Sequence, residues 1–230
     1  MLSKSGLTTK DVLSIFADEV SARKGRVTDT FHDGRRLFAR SVLPQVEEVR
    51  PRDRLQGGVA LKMASQKVFL YPYVFRLVCQ NGAIRAQTLE SRSFLELHLL
   101  DPDTALRSIR ENIGACCGEE LFKDSVQRMR VASNSEADFA LSLLPHLSRL
   151  RSTNVPKLFS QIVEQFFKDA DRSQFGFANA ITAVARDTQD PDLRWNLEEL
   201  GGGVAVGEAP KKPATGGRSK TQPCSLASVG

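Results

Sequence analysis

Apolar residues return at helical spacing near the start of the chain. Val12, Phe16 and Val20 recur every fourth residue, which predicts an amphipathic helix over residues 8–24. Thr8 followed by Asp11 resembles a capping box at its start, and Gly25 is placed to end it. The period then drops to two. RVTDTF, the pair Asp33–Gly34 and RRLFARSVL predict a β-hairpin with a tight turn. Pro44 and Pro51 interrupt the chain, and QVEEV between them is too short to assign.

Residues 55–88 carry the clearest strand pattern. Val59, Leu61 and Met63 alternate, and VFLYPYVFRLVCQ is rich in aromatic and β-branched residues. Pro72 within it predicts a bulge, an edge or a break. Asn81–Gly82 is a turn signal, so residues 68–88 read as a hairpin closed by QNGA. Gly57–Gly58 precedes a strand rather than a helix, lacks the context of a phosphate-binding loop, and reads as a strand entry or bulge.

From about residue 90 the helical period takes over. Asp101–Pro102 marks a helix start, and Leu106, Ile109, Ile113 and Leu121 continue a stripe that Gly114 and Gly118 weaken and could break. Further helices are expected over 135–151, kinked at Pro145, and over 155–170, capped by Asn154. Two more are expected over 174–187 and 191–200, the last stopped by Gly201–Gly203. Residues 207–230 are dominated by small and polar residues and are expected to be disordered. The fold class expected is α+β: an N-terminal helix, antiparallel hairpins over 25–88 and a helical half over 100–206, in a single domain spanning 1–206.

Composition changes this picture little. At 41% hydrophobic and 26% charged, the chain of 230 residues can build a core. No apolar run approaches the roughly 20 residues that cross a bilayer, and the first ten residues lack the apolar centre of a secretory signal. The expected setting is a cytoplasmic protein with no membrane partner. The net charge of +5 is unevenly placed. Between residues 23 and 54 nine basic side chains, eight of them Arg, face five acids. Arg offers bidentate contacts to phosphate, whereas the plainer alternative is a solvated face with ordinary ion pairs.

Cys79, Cys116, Cys117 and Cys224 form no C-x-x-C pair, so free thiols in a reducing compartment are expected. No histidine pair has ligand spacing, no nucleophile elbow or paired carboxylates stand out, and neither a metal nor another cofactor is expected. Phe69, Tyr71, Tyr73 and Phe75 alternate along one strand and share a face. They could stack bases of single-stranded nucleic acid beside Arg76 and Arg85, or simply pack against helices.

Three segments carry a resemblance. RPRDRLQGGVALKMAS, VFRLVCQNGAIRA and FANAITAVARDTQDPDLRWNLEELGGGVA together resemble the phage- and plasmid-associated family known as domain of unknown function nine hundred and thirty-two. The likeness spans roughly residues 25–205. The turn at Cys79, Asn81 and Gly82 is its most specific feature, followed by Asn179, Ala180 and Thr182. Where family members carry a polar N-S-H turn, this chain reads Ala64, Ser65, Gln66. The resemblance implies a bacterial, cytoplasmic mobile-element setting and supplies no catalytic residue to carry over.

The leading expectation is therefore a non-enzymatic nucleic-acid-binding protein acting in replication or recombination. Arg26, Arg35, Arg36, Arg40, Tyr71, Tyr73, Arg76 and Arg85 would form its surface, with single-stranded DNA as the foremost partner. The alternative is a protein-interaction module that inhibits or joins a host or phage protein. A third reading, an enzyme using Cys79, Asn81, Asn179 and Thr182, requires those residues to converge in one pocket.

Overall fold

The computed structural model describes residues 6–78, 80–84, 94–137, 147, 155–169 and 171–206. Helix α1 (Thr9–Ala22) opens with the expected reciprocal cap: Asp11 N–H donates to Thr8 Oγ1, and Thr8 N–H donates to the Asp11 carboxylate at 2.7 Å. Seven strands follow, β1 (Arg26–His32), β2 (Arg36–Val42), β3 (Val46–Arg50), β4 (Asp53–Ala64), β5 (Lys67–Arg76), β6 (Asn81–Ile84) and β7 (Phe94–Glu96). They form one antiparallel sheet in the order β1-β2-β4-β5-β6, with β3 added to β4 and β7 to β5. The described helical half comprises α2 (Pro102–Cys116), α3 (Glu119–Ser133), α4 (Val155–Lys168), α5 (Gln174–Arg186) and α6 (Pro191–Ala205). The architecture is α+β. Among the described residues no helix is long and apolar enough to cross a membrane.

Strand β4 is long enough to serve two partners in turn. Its beginning pairs with β3, which is the short stretch QVEEV and its neighbours, and its end pairs with β2. Gly57–Gly58 lies at the changeover. A side chain at Gly58 would collide with the Ser41 carbonyl, and one at Gly57 would press the Phe122 ring at 3.1 Å. Neither a bulge nor a break is needed at Pro72, because β5 pairs with β4 in unbroken register. On its other side β5 meets β7 through residues 67–69 and β6 through residues 73–76, so Pro72 falls where that side has no ladder partner among the described residues.

Both faces of the sheet are covered. Alternation places Leu37, Ala39, Val59, Leu61, Met63, Val68 and Leu70 on one face, under Val12, Phe16 and Val20 of α1 and Ile109 and Ile113 of α2. Phe38, Ala60 and Tyr73 point the other way and pack against Trp195 of α6. A third cluster joins Leu55 and Val74 to α3, α4, α5 and α6 through Phe122, Ile162, Phe177 and Leu197.

Three expectations need correction. The turn between β5 and β6 includes Leu77, Val78 and Gln80, the last at φ +52°, and Asn81–Gly82 is already strand. The glycine at 82 is there because the Tyr73 ring and hydroxyl occupy the space a Cβ would take. The glycines 201–203 do not stop the last helix, which runs on to Ala205. Gly201 instead lets α6 approach Thr182 of α5, whose methyl would collide with any side chain there. Gly114 does not break α2, although Gly118 does separate it from α3. The helix expected over 135–151 lies almost wholly outside the described residues. Of its start, Glu136 forms an isolated bridge with Ser173. Asn154, residues 207–230, Cys79, Arg85 and Cys224 also lie outside them.

Candidate functional site

The arginines of the opening strands do not gather into one cationic surface. Strand alternation turns Arg36, Arg40 and Lys62 toward α6, and α6 meets them with acids. Arg40 is 2% exposed. Its Nε donates to Glu198 Oε2 at 2.7 Å, and its Nη1 donates to Asp29 at 3.1 Å. Its Nη2 also lies 2.7 Å from Glu198, off the line of a hydrogen bond. Arg194 closes the cluster, 2.9 Å from Asp29 and 3.3 Å from Glu198. Burial works against the charge on Arg40, but the Glu198 carboxylate outweighs it and holds the guanidinium above its usual range. Burial pushes the Glu198 carboxyl up in spite of its two arginines.

Arg36 donates to Asp33 at 2.8 Å and to Asp192 at 2.8 Å, and Lys62 reaches the other oxygen of Asp192 at 2.7 Å. Arg76 forms a two-pronged pair with Asp53, with both bonds at 2.6 Å. Arg50 adds to that group by pairing with Asp53 and Asp171. Arg50 and Arg76 each lie 5.5 Å from the Phe175 ring. Arg40 and Arg76 are thus internal fasteners rather than phosphate contacts. Of the acids that hold them, Asp29 and Asp53 belong to the stretch whose ion pairs the sequence allowed for, whereas Glu198 carries no signal because it lies 158 residues from Arg40.

The aromatic strand is likewise a packing face. Tyr73 is 3% exposed, set against Gly82, and burial together with the Glu198 charge raises its hydroxyl pKa. Tyr71 leans on Trp195 at a centroid distance of 5.9 Å. Tyr73 therefore cannot stack a base, and the half-buried Tyr71 already has an aromatic neighbour.

Two of the expected contact residues remain open. Arg26 and Arg35 are exposed, and neither has an acidic partner among the described residues. Arg26 opens β1, the edge of the sheet, and Arg35 sits in the β1–β2 turn beyond its other end, with roughly 20 Å of strand between them at the usual rise. A bulge between Val27 and Asp29 interrupts the pairing of that edge, which blunts it against strand addition. Arg35 also lines a cleft of about 810 Å³, where the β1–β2 turn, the β4–β5 turn at Ser65–Gln66 and the start of α1 meet. Asp33 holds this turn by accepting from the backbone N–H groups of Arg35 and Arg36, and those bonds with the Arg36 side chain lower its pKa to about 2. His32 Nε2 lies 2.5 Å from Thr9 Oγ1, tying the end of β1 to α1.

The residues of the enzyme reading converge only to a degree. Asn81 Nδ2 donates to Thr182 Oγ1 at 2.6 Å and to the Asn179 carbonyl at 3.2 Å. The cavity they line measures about 20 Å³, which is far below the size of a substrate site. The motif is a clasp between β6 and α5. Neither described cysteine offers a thiolate, since burial pushes Cys116 up to about 12 and Cys117 up to about 11. Among the described residues no three His, Cys, Asp or Glu side chains are grouped to hold a metal ion.

No protein-family model matches the chain, and neither a curated protein nor a solved structure matches it.

Proposed function

We propose that this chain is a non-enzymatic binding protein for nucleic acid, with single-stranded DNA as the ligand, in the mobile-element setting that the motif resemblance implies. The strand would lie along the β1 edge, with phosphates at Arg26 and Arg35. The observation that supports this reading is the exposure of those two guanidiniums without acidic partners among the described residues, at the two ends of an open edge and beside a broad cleft. Arg36, Arg40, Tyr73 and Arg76 have no role in it.

Binding of this kind is governed by counterion release, so affinity falls steeply with salt. Fluorescence anisotropy with a labelled oligonucleotide, titrated between about 50 and about 200 mM salt, measures the slope. Replacing both Arg26 and Arg35 by Gln removes two phosphate contacts and is expected to reduce the slope by about 1.4, at roughly 0.7 per contact on a single strand. An absence of binding at low salt, or a slope unmoved in the double variant, overturns the proposal. In that case capture of a nuclease-resistant partner from host lysate would favour the protein-interaction alternative.

A further inference from the structure

We propose that one ordered water molecule is built into the junction between β6 and α5, bridging Asn81 and Asn179. The inference is independent of the nucleic-acid reading. Asn81 is 2% exposed and Asn179 is 8% exposed. The Asn81 amide nitrogen spends both its protons on Thr182 Oγ1 and the Asn179 carbonyl, which fixes the orientation of that side chain. Its Oδ1 is left buried with no hydrogen-bond partner among the described residues, and so is Asn179 Nδ2. One is an acceptor and the other a donor.

Both residues line the same cavity, whose volume of about 20 Å³ exceeds the ~10–15 Å³ that one water requires. The polar demand selects the occupant. A metal ion or an ammonium cannot accept from Asn179 Nδ2, and an anion cannot donate to Asn81 Oδ1. A water does both. Turning the Asn179 amide over would present an oxygen instead, and a water can donate to two acceptors, so the ligand class is unchanged. Leaving either group unmet in this apolar setting costs on the order of a lost buried hydrogen bond, which is why such waters behave as integral elements of a fold.

Two measurements on the unmodified protein test this. In a crystal structure, a density peak is expected within roughly 2.7–3.2 Å of both Asn81 Oδ1 and Asn179 Nδ2. In solution, the Asn179 side-chain amide protons should show cross-peaks to water whose signs are opposite in NOESY and ROESY spectra, the mark of a long-lived buried molecule. A featureless cavity in the density overturns the proposal, and so do water cross-peaks that are absent or share one sign.

Discussion

The ion-pair cluster under α6 can be tested by removing its members singly and together. Glu198 is 2% exposed and holds two guanidiniums. Glu198→Gln would leave Arg40 buried, with Asp29 its only remaining acidic partner among the described residues. Breaking a buried pair from one side costs about 3–5 kcal/mol, and the loss here belongs in that range. Arg40→Met should cost less, because Glu198 would keep the more exposed Arg194. Replacing both, as Arg40→Met with Glu198→Leu, removes both charges and restores apolar contact, so the double variant should lie within about 1 kcal/mol of the unmodified protein or above it. At roughly 2–4 °C per kcal/mol for a chain of this size, Glu198→Gln would lower Tm by on the order of 10 °C. With Glu198→Leu added as the matching single variant, urea unfolding followed by fluorescence reads the cycle directly. The chain has one tryptophan, and the Arg40 guanidinium carbon lies 6.0 Å from its ring. If each single substitution cost less than about 1 kcal/mol, or if the two losses simply added in the double variant, the cluster would not be a desolvated, coupled unit.

Two further predictions rest on other regions of the sheet. Gly82→Ala forces a methyl into the Tyr73 ring, and a loss of about 1–3 kcal/mol in urea unfolding is expected; adding Tyr73→Leu should recover some of it, and no recovery would show that the collision is not the cause. Burial works against the charge on the Asp192 carboxyl, but Lys62 and Arg36 outweigh it and hold its pKa below the usual range, so its contribution to stability is present above pH of about 4 and is lost as pH falls through the lowered value. Thermal unfolding followed from neutral pH down to about 3 should show that loss, and Asp192→Asn should flatten it; an equally steep fall in the variant would assign the acid sensitivity to other carboxylates.

Local signals are legible in the sequence and long-range ones are not. The cap of α1 depends on residues three apart, and the β4–β5 alternation depends on period two, so both can be read along the chain. The turn at Gln80 is hidden because Asn81–Gly82 imitates the commonest tight-turn pair. The real causes of that pair are a clasp to Thr182 and the bulk of Tyr73, and both are tertiary. The run Gly201–Gly203 misleads in the same way. Glycine ends helices when the backbone must turn, but here it thins one helix so that another can lie close. Of the eight residues expected to meet nucleic acid, Arg26 and Arg35 are exposed, whereas Arg40, Tyr73 and Arg76 are engaged inside the fold. A one-dimensional charge count cannot distinguish these cases.

The arginine excess in the opening strands has an internal explanation that a local count hides. A two-sided sheet must cover the face away from α1, and the element that covers it is α6, which carries Asp192 and Glu198. Arg36 reaches one and Arg40 the other, across 156 and 158 residues of chain. Much of the strands' positive charge therefore belongs to an intramolecular interface whose acidic side is supplied by the last described helix. Arg26 and Arg35 fall outside that pairing for a geometric reason. The first opens the edge strand and the second sits in the β1–β2 turn, and neither pairs with an acid of α6. Their exposure is not accounted for by the fold's own cohesion, and that separates them from Arg36, Arg40 and Arg76 as candidates for contact with another molecule.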